Sequence, residues 1–141
     1  MRRLEGKKIR REEGEKIQEG KIDIGLIGVG LFARGTLLPA MKRVKGIRFE
    51  GVATLGGLSG KHVADKFRFN YCTTDYKKIL EDENINLVFV LTRHNSHARF
   101  VCEALKAGKA VFVEKPLCLT KEELGQIVDI YNSPLTTHNS R

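Results

Sequence analysis

The residues best suited to do chemistry are Gly28, Gly30 and Ala33, which follow directly on the apolar run Ile22, Ile24, Leu26 and Ile27. Each small residue has a separate physical task. The first lets the chain turn tightly out of a buried strand, the second lets backbone approach a pyrophosphate, and the third lets helix pack close to strand. With Leu31 and Phe32 between them they form a G-x-G-x-x-A turn that opens a helix, where unpaired N–H groups and the helix dipole favour an anion. The expected ligand is a dinucleotide, NAD or NADP.

A second test lies at the end of the following strand, where an acidic residue would accept hydrogen bonds from the adenosine ribose. Thr54 occupies that place and is not acidic. Glu50 is nearer the usual spacing of about twenty residues, but it falls inside the strand, and the plainer reading puts it near the strand's exposed start. Ser59, Lys61 and His62 lie just beyond, where the 2′-phosphate of NADP would sit, so the choice between NAD and NADP stays open. His94 and His97 stand together at a helix start. Neither has a carboxylate or cysteine at ligand spacing, so no metal site is expected. His97 reads instead as a cofactor-side loop contact or as part of the helix N-terminus. Glu114-Lys115-Pro116 closes a strand at its carboxyl end, where α/β proteins place ligands; taken alone, the charged pair reads as a solvated loop.

Elements must hold these residues, and the apolar periodicity supplies them. Ile22 to Ile27 reads as a strand buried on both faces. Leu31 to Val44 has helical spacing interrupted by Gly35 and Pro39, which predicts a kink or restart, because proline removes a hydrogen bond and clashes with the preceding turn. A strand is expected over Ile47 to Thr54, a helix over Lys61 to Phe67, a short strand over Phe69 to Cys72 and a brief helix over Tyr76 to Leu80. Asn86 to Leu91 is the strongest strand by β-branched and aromatic content. A helix over His97 to Ala107, with Phe100, Val101, Ala104 and Leu105 on one face, ends at Gly108. Ala110 to Val113 reads as another buried strand, and Thr120 with Glu123 as a capping box ahead of a helix through Ile130. Strands alternating with helices on short loops predict the α/β class, a doubly wound parallel sheet of Rossmann type with helices on both faces.

A chain of 141 residues suits one domain. Residues 1–20 are dense in charge, with only Leu4, Ile9 and Ile17 as large apolar groups, and read as an arm or linker. Residues 21–131 form the domain, and 132–141 read as a polar tail. No run approaches the roughly 18 apolar residues of a membrane helix, and the N-terminus lacks a secretory pattern, so a cytoplasmic location is expected. Cys72, Cys102 and Cys118 are odd in number, without a C-x-x-C pair, and read as reduced, buried thiols. The net charge of +8 would favour a phosphate-bearing ligand. Acidic residues are interleaved almost everywhere, and a nucleic-acid partner rests on charge alone.

The glycine turn, the fourth-strand loop and Glu114-Lys115-Pro116 together resemble the glucose-fructose oxidoreductase and inositol dehydrogenase family (Gfo/Idh/MocA). The likeness runs from Ile22 to Ile130. The segment AGKAVFVEKPL, Ala107 to Leu117, is similar to the family's strand-five signature, and Leu91-Thr92 through His97 to its fourth-strand loop. Arg93 and His94 replace the usual proline and asparagine there, which leaves both without an assigned role. That loop and Thr36-Leu37-Leu38-Pro39-Ala40 look more like the branch in which the domain follows a zinc-type alcohol dehydrogenase module; the charged arm would then be the tail of an interdomain linker. The resemblance implies hydride transfer between NAD(P) and a sugar, cyclitol or related hydroxyl-bearing compound. It implies cofactor contacts from Gly28, Gly30, Leu31, Phe32, Ala33, Thr54, Thr92, His97, Glu114 and Lys115. Lys115 would also be catalytic, standing beside the nicotinamide and the reacting hydroxyl to polarise the substrate oxygen or move a proton, with burial and nearby charge lowering its pKa. Glu114 would fix the local geometry and Pro116 the turn.

In that family a second α/β domain supplies the substrate pocket, with an Asp and a His. Residues 132–141 are polar, lack a periodic apolar face and depart from the family's continuation into a sixth strand. The expectation is a single cofactor domain without the C-terminal domain, from a truncated, shifted or split reading frame. Such a domain would hold a dinucleotide but turn over only with a partner domain that positions substrate. A homo-oligomer is compatible with this reading. The alternative is a non-catalytic module whose protein contact is gated by NAD(P).

Overall fold

The computed structural model describes residues 9–10 and 21–134. Most of the arm 1–20 and the tail from 135 onward lie outside the described residues. The apolar runs pair as strands and the amphipathic stretches fold between them. In order these are β1 (Ile9–Arg10), β2 (Ile22–Ile27), a π-helical segment (Ala33–Leu37) running into α1 (Leu38–Met41), β3 (Ile47–Ala53) and α2 (Gly57–Phe67). There follow β4 (Tyr71–Thr73), α3 (Lys77–Glu81), β5 (Leu87–Val90), α4 (His97–Lys106), β6 (Ala110–Val113) and α5 (Lys121–Tyr131).

The sheet order is β1-β4-β3-β2-β5-β6. β2 pairs in parallel with both β3 and β5, β3 with β4, and β5 with β6. Among the described strands only β1 runs antiparallel, Ile9 facing Cys72 and Arg10 facing Tyr71. The strand order reverses between β3 and β5 on either side of β2, the switch point where doubly wound sheets bind ligands. The Rossmann sheet expected from the sequence therefore forms, and its glycine turn leaves the central strand.

Both faces of β2 are covered. Ile24 and Leu26 pack with Ala33, Leu38, Val52, Val63 and Phe67, while Ile27 packs with Ala53, Ile79, Val90, Val101 and Ile127 on the opposite face. Full burial of an Ile or Leu side chain is worth about 1.5–3 kcal/mol, so these residues fix which way β2 faces. At the amino end of the sheet, Arg48 pairs with Asp23 at 2.5 Å, both buried. Asn86 closes this end by accepting from Asp23 N through Oδ1 and donating its own N–H to the Asp23 carbonyl, each at 3.0 Å.

The helix after the glycine turn restarts as its proline requires: π-helical turns give way to α1 with Pro39 in its first turn. Thr120 caps α5, accepting from Glu123 N at 3.1 Å, and Gly108 takes φ +75° just past α4. Several expectations fail. α2 begins at Gly57, ahead of Lys61, because Gly56 serves as its N-cap. β6 is half-exposed rather than buried, since among the described residues it is an edge strand with β5 on one side only. Glu50 is buried, not at an exposed strand start. Ile24 faces Phe49 and Gly25 faces Gly51, so Glu50 is the extra residue of a β-bulge, and it accepts a hydrogen bond from Asn70 Nδ2 at 2.6 Å. Cys72 and Cys102 are buried, whereas Cys118 is half-buried.

Candidate functional site

Four backbone hydrogen bonds tie the carboxyl ends of the parallel strands together. Thr54 N donates to Thr73 O at 3.1 Å, Gly28 N to Ala53 O at 2.9 Å, Leu91 N to Ile27 O at 2.9 Å and Glu114 N to Val90 O at 3.2 Å. Four loops leave the sheet side by side from this row. Gly28, Thr54, Thr92, Glu114 and Lys115, scattered in sequence, thus stand along one edge.

The two glycines of the turn differ. Gly28 has φ +88°, and a Cβ there would fall 2.8 Å from both Leu91 O and Thr92 Cγ2, so the fold itself requires glycine. Around Gly30 nothing lies within 4 Å of where a Cβ would be. The space in front of its backbone is open, which is what a pyrophosphate approach needs. The first bond of the following helical path runs from Arg34 N to Gly30 O at 3.1 Å. The N–H groups of Leu31, Phe32 and Ala33 precede it and are the donors a helix start presents. Leu31 is 83% exposed and Phe32 half-exposed, so these two offer backbone rather than packed side chains, whereas Ala33 is buried in the core as the close helix packing demands. The geometry fits a dinucleotide phosphate bridge.

Thr54 is buried, and its hydroxyl donates to Gly56 O at 2.7 Å. α2 sits close beneath it, since a Cβ on Gly60 would fall 2.5 Å from Thr54 Oγ1. The place of an acidic ribose acceptor is therefore filled by a neutral side chain already bonded to its own turn. Lys61 is exposed and pairs with Asp65 at 3.0 Å.

In the loop after β5, Ser96 Oγ lies 2.7 Å from Thr92 Oγ1 and 2.8 Å from Arg93 O. Sequence reading missed this serine, which holds the loop closed. His97 is fully buried. Its Nδ1 is 2.7 Å from Pro116 O and its Nε2 2.8 Å from Thr92 O, so it bridges the loops after β5 and β6. Arg93 and His94 are exposed, with the His94 ring 5.6 Å from that of His97. Among the described residues no group of three His, Cys, Asp or Glu is placed to hold a metal ion. Lys115 precedes a cis peptide bond to Pro116. The burial expected of Lys115 is not met: it is exposed, on the loop after β6, which among the described residues has no strand on its outer side.

A family model described as "Oxidoreductase family, NAD-binding Rossmann fold" (GFO_IDH_MocA) matches residues 22–134. The chain belongs to this family. Among its relatives, the dTDP-3,4-didehydro-2,6-dideoxy-alpha-D-glucose 3-reductase of Saccharopolyspora spinosa is 30% identical over 109 residues, covering 77% of this chain and 32% of the relative. A solved structure of KijD10, a 3-ketoreductase from Actinomadura kijaniata in complex with NADP, aligns with a TM-score of 0.73 at 25% identity, over 78% of this chain and 35% of that one. A levoglucosan dehydrogenase in complex with NADH and L-sorbose aligns with a TM-score of 0.70 at 27% identity, over 78% and 31%. This chain spans about a third of the length of the relatives it matches. The cofactor class of the family, NAD or NADP, agrees with the open glycine turn. Among the described residues no helix is long and apolar enough to cross a membrane.

Proposed function

We propose that this chain is the cofactor-holding part of a dehydrogenase or ketoreductase acting on a sugar, cyclitol or similar hydroxyl-bearing compound. The observation that carries the reading is the row of hydrogen bonds that sets the Gly28 turn and the Glu114-Lys115 loop along one sheet edge. The Leu31, Phe32 and Ala33 N–H groups would hold the phosphates over Gly30, and Thr92 and Glu114 would flank the ring end. A bound nicotinamide supplies or accepts the hydride. Lys115, as an exposed ammonium on the last loop of that row, would polarise the substrate oxygen and give or take its proton.

The substrate pocket would come from further polypeptide, as the match to only 32% of the relative's length suggests. A covering domain would also remove water from around Lys115, which in this chain stands exposed. Hydride transfer then depends on that cover, because positioning supplies much of the rate. Amide resonances recorded with and without NADH test the reading. Shifts confined to Gly28–Ala33, Thr92–His97 and Glu114–Leu117 support it. Shifts confined to the opposite, amino end of the sheet refute it.

A further inference from the structure

We propose that His97 is a positioning residue, a strap that holds the Lys115 loop in register with the loop after β5. The proposal rests on the cofactor reading above. The loop that carries Lys115 leaves the ladder after the bond from Glu114 N to Val90 O, and among the described residues β6 has no strand on its outer side to steady it. Pro116 has no N–H, so its carbonyl is its only backbone group able to form a hydrogen bond. That carbonyl lies 2.7 Å from His97 Nδ1. Farther on, Leu119 N donates to Glu123 Oε2 at 3.0 Å. The loop is thus held at Glu114, Pro116 and Leu119, and Lys115 stands between the first two of these points.

The other side of the same imidazole reaches the Thr92 carbonyl at 2.8 Å. Both carbonyls can only accept, so the ring must donate: a neutral ring makes one of the two bonds, and a ring carrying both protons makes both. Because the ring is fully buried, water is not available to replace it. His97 roots this link in the first turn of α4, a rigid element, rather than in either loop. The Thr92 carbonyl on the cofactor side and the loop of Lys115 thus meet opposite edges of one side chain, while Lys115 keeps its freedom to reach a substrate.

The test compares the wild-type chain with His97→Ala and His97→Gln, whose carboxamide keeps one donor nitrogen. Amide hydrogen exchange over residues 114–119 should quicken about tenfold in His97→Ala, the scale of one lost hydrogen bond, while β2 and β5 stay protected. The second readout is acylation of Lys115 by an amine-reactive ester, followed by mass spectrometry with and without saturating NADH. NADH should shield Lys115 in the wild type. His97→Ala should lose that shielding even at NADH concentrations that saturate the variant, and His97→Gln should regain part of it. Unchanged exchange over 114–119, or full shielding in His97→Ala, overturns the proposal. Should His97→Ala fail to fold, His97→Asn, too short to span both carbonyls, carries the same comparison. A wild-type chain that binds neither NADH nor NADPH refutes the proposed function instead, and the exchange rates then decide the strap by themselves.

Discussion

Two substitutions in one glycine turn should separate folding from ligand binding. At Gly28, an alanine would have to hold φ +88° with its Cβ 2.8 Å from the Leu91 carbonyl oxygen. The left-handed conformation costs an L-residue about 1–2 kcal/mol, and overpacking against backbone adds about 1–3 kcal/mol. Gly28→Ala should therefore lose about 2–5 kcal/mol of stability by these two effects. At Gly30 the space is open to 4 Å. Gly30→Leu should leave stability within about 0.5 kcal/mol of the wild type, yet its side chain fills the place of the pyrophosphate. A clash of about 1–3 kcal/mol there weakens the dinucleotide about 5- to 150-fold. Urea denaturation followed by circular dichroism gives the first quantity, and NADH fluorescence titration gives the second. Unchanged NADH affinity in a folded Gly30→Leu chain would refute the assignment of the phosphate site, and a Gly28→Ala chain as stable as the wild type would refute the account of the turn.

Other outcomes follow from the same geometry. Arg48→Met leaves the buried Asp23 carboxylate without its guanidinium partner and should cost about 3–5 kcal/mol; chemical denaturation measures it, and the double variant with Asp23→Leu should recover most of the loss. Thr120→Ala removes the acceptor for Glu123 N and should cost about 0.5–2 kcal/mol in the same assay. Lys109 Nζ donates to the Asp82 and Ile85 carbonyls, and burial holds its pKa below the ordinary lysine value of 10.5. Between that lowered value and 10.5 the unfolded chain binds more protons than the folded one, so this group makes stability rise with pH in that window. Thermal melts of Lys109→Met should lose that rise and should lie lower at neutral pH, where the two carbonyls lose their donor.

Much of this fold could be read directly from residue patterns, because the signals were local. The β2 run, the glycine turn, Gly108 past α4 and the Thr120 cap depend on neighbours a few positions apart, and each stands where its chemistry placed it. Elements set by tertiary context were not readable in this way. Glu50 looks like a half-exposed strand residue until the register between β2 and β3 skips it, and no pattern within β3 announces that bulge. The apolar composition of β6 suggested burial, but exposure depends on whether another strand lies beyond it, which its own residues cannot encode. The site was legible as a set of loops at strand ends. The contact between His97 and Pro116 was not, since it joins residues nineteen apart through a carbonyl that any residue type supplies.

The central claim is that the Gly28 turn holds a nicotinamide dinucleotide. Titrating the purified chain with NADH and with NADPH, followed by the fluorescence of the reduced nicotinamide, tests it most directly. Saturable binding of at least one, abolished or strongly weakened by Gly30→Leu, is the predicted result. No saturable binding of either up to about millimolar concentration, weaker than about −4 kcal/mol of binding free energy, would contradict it.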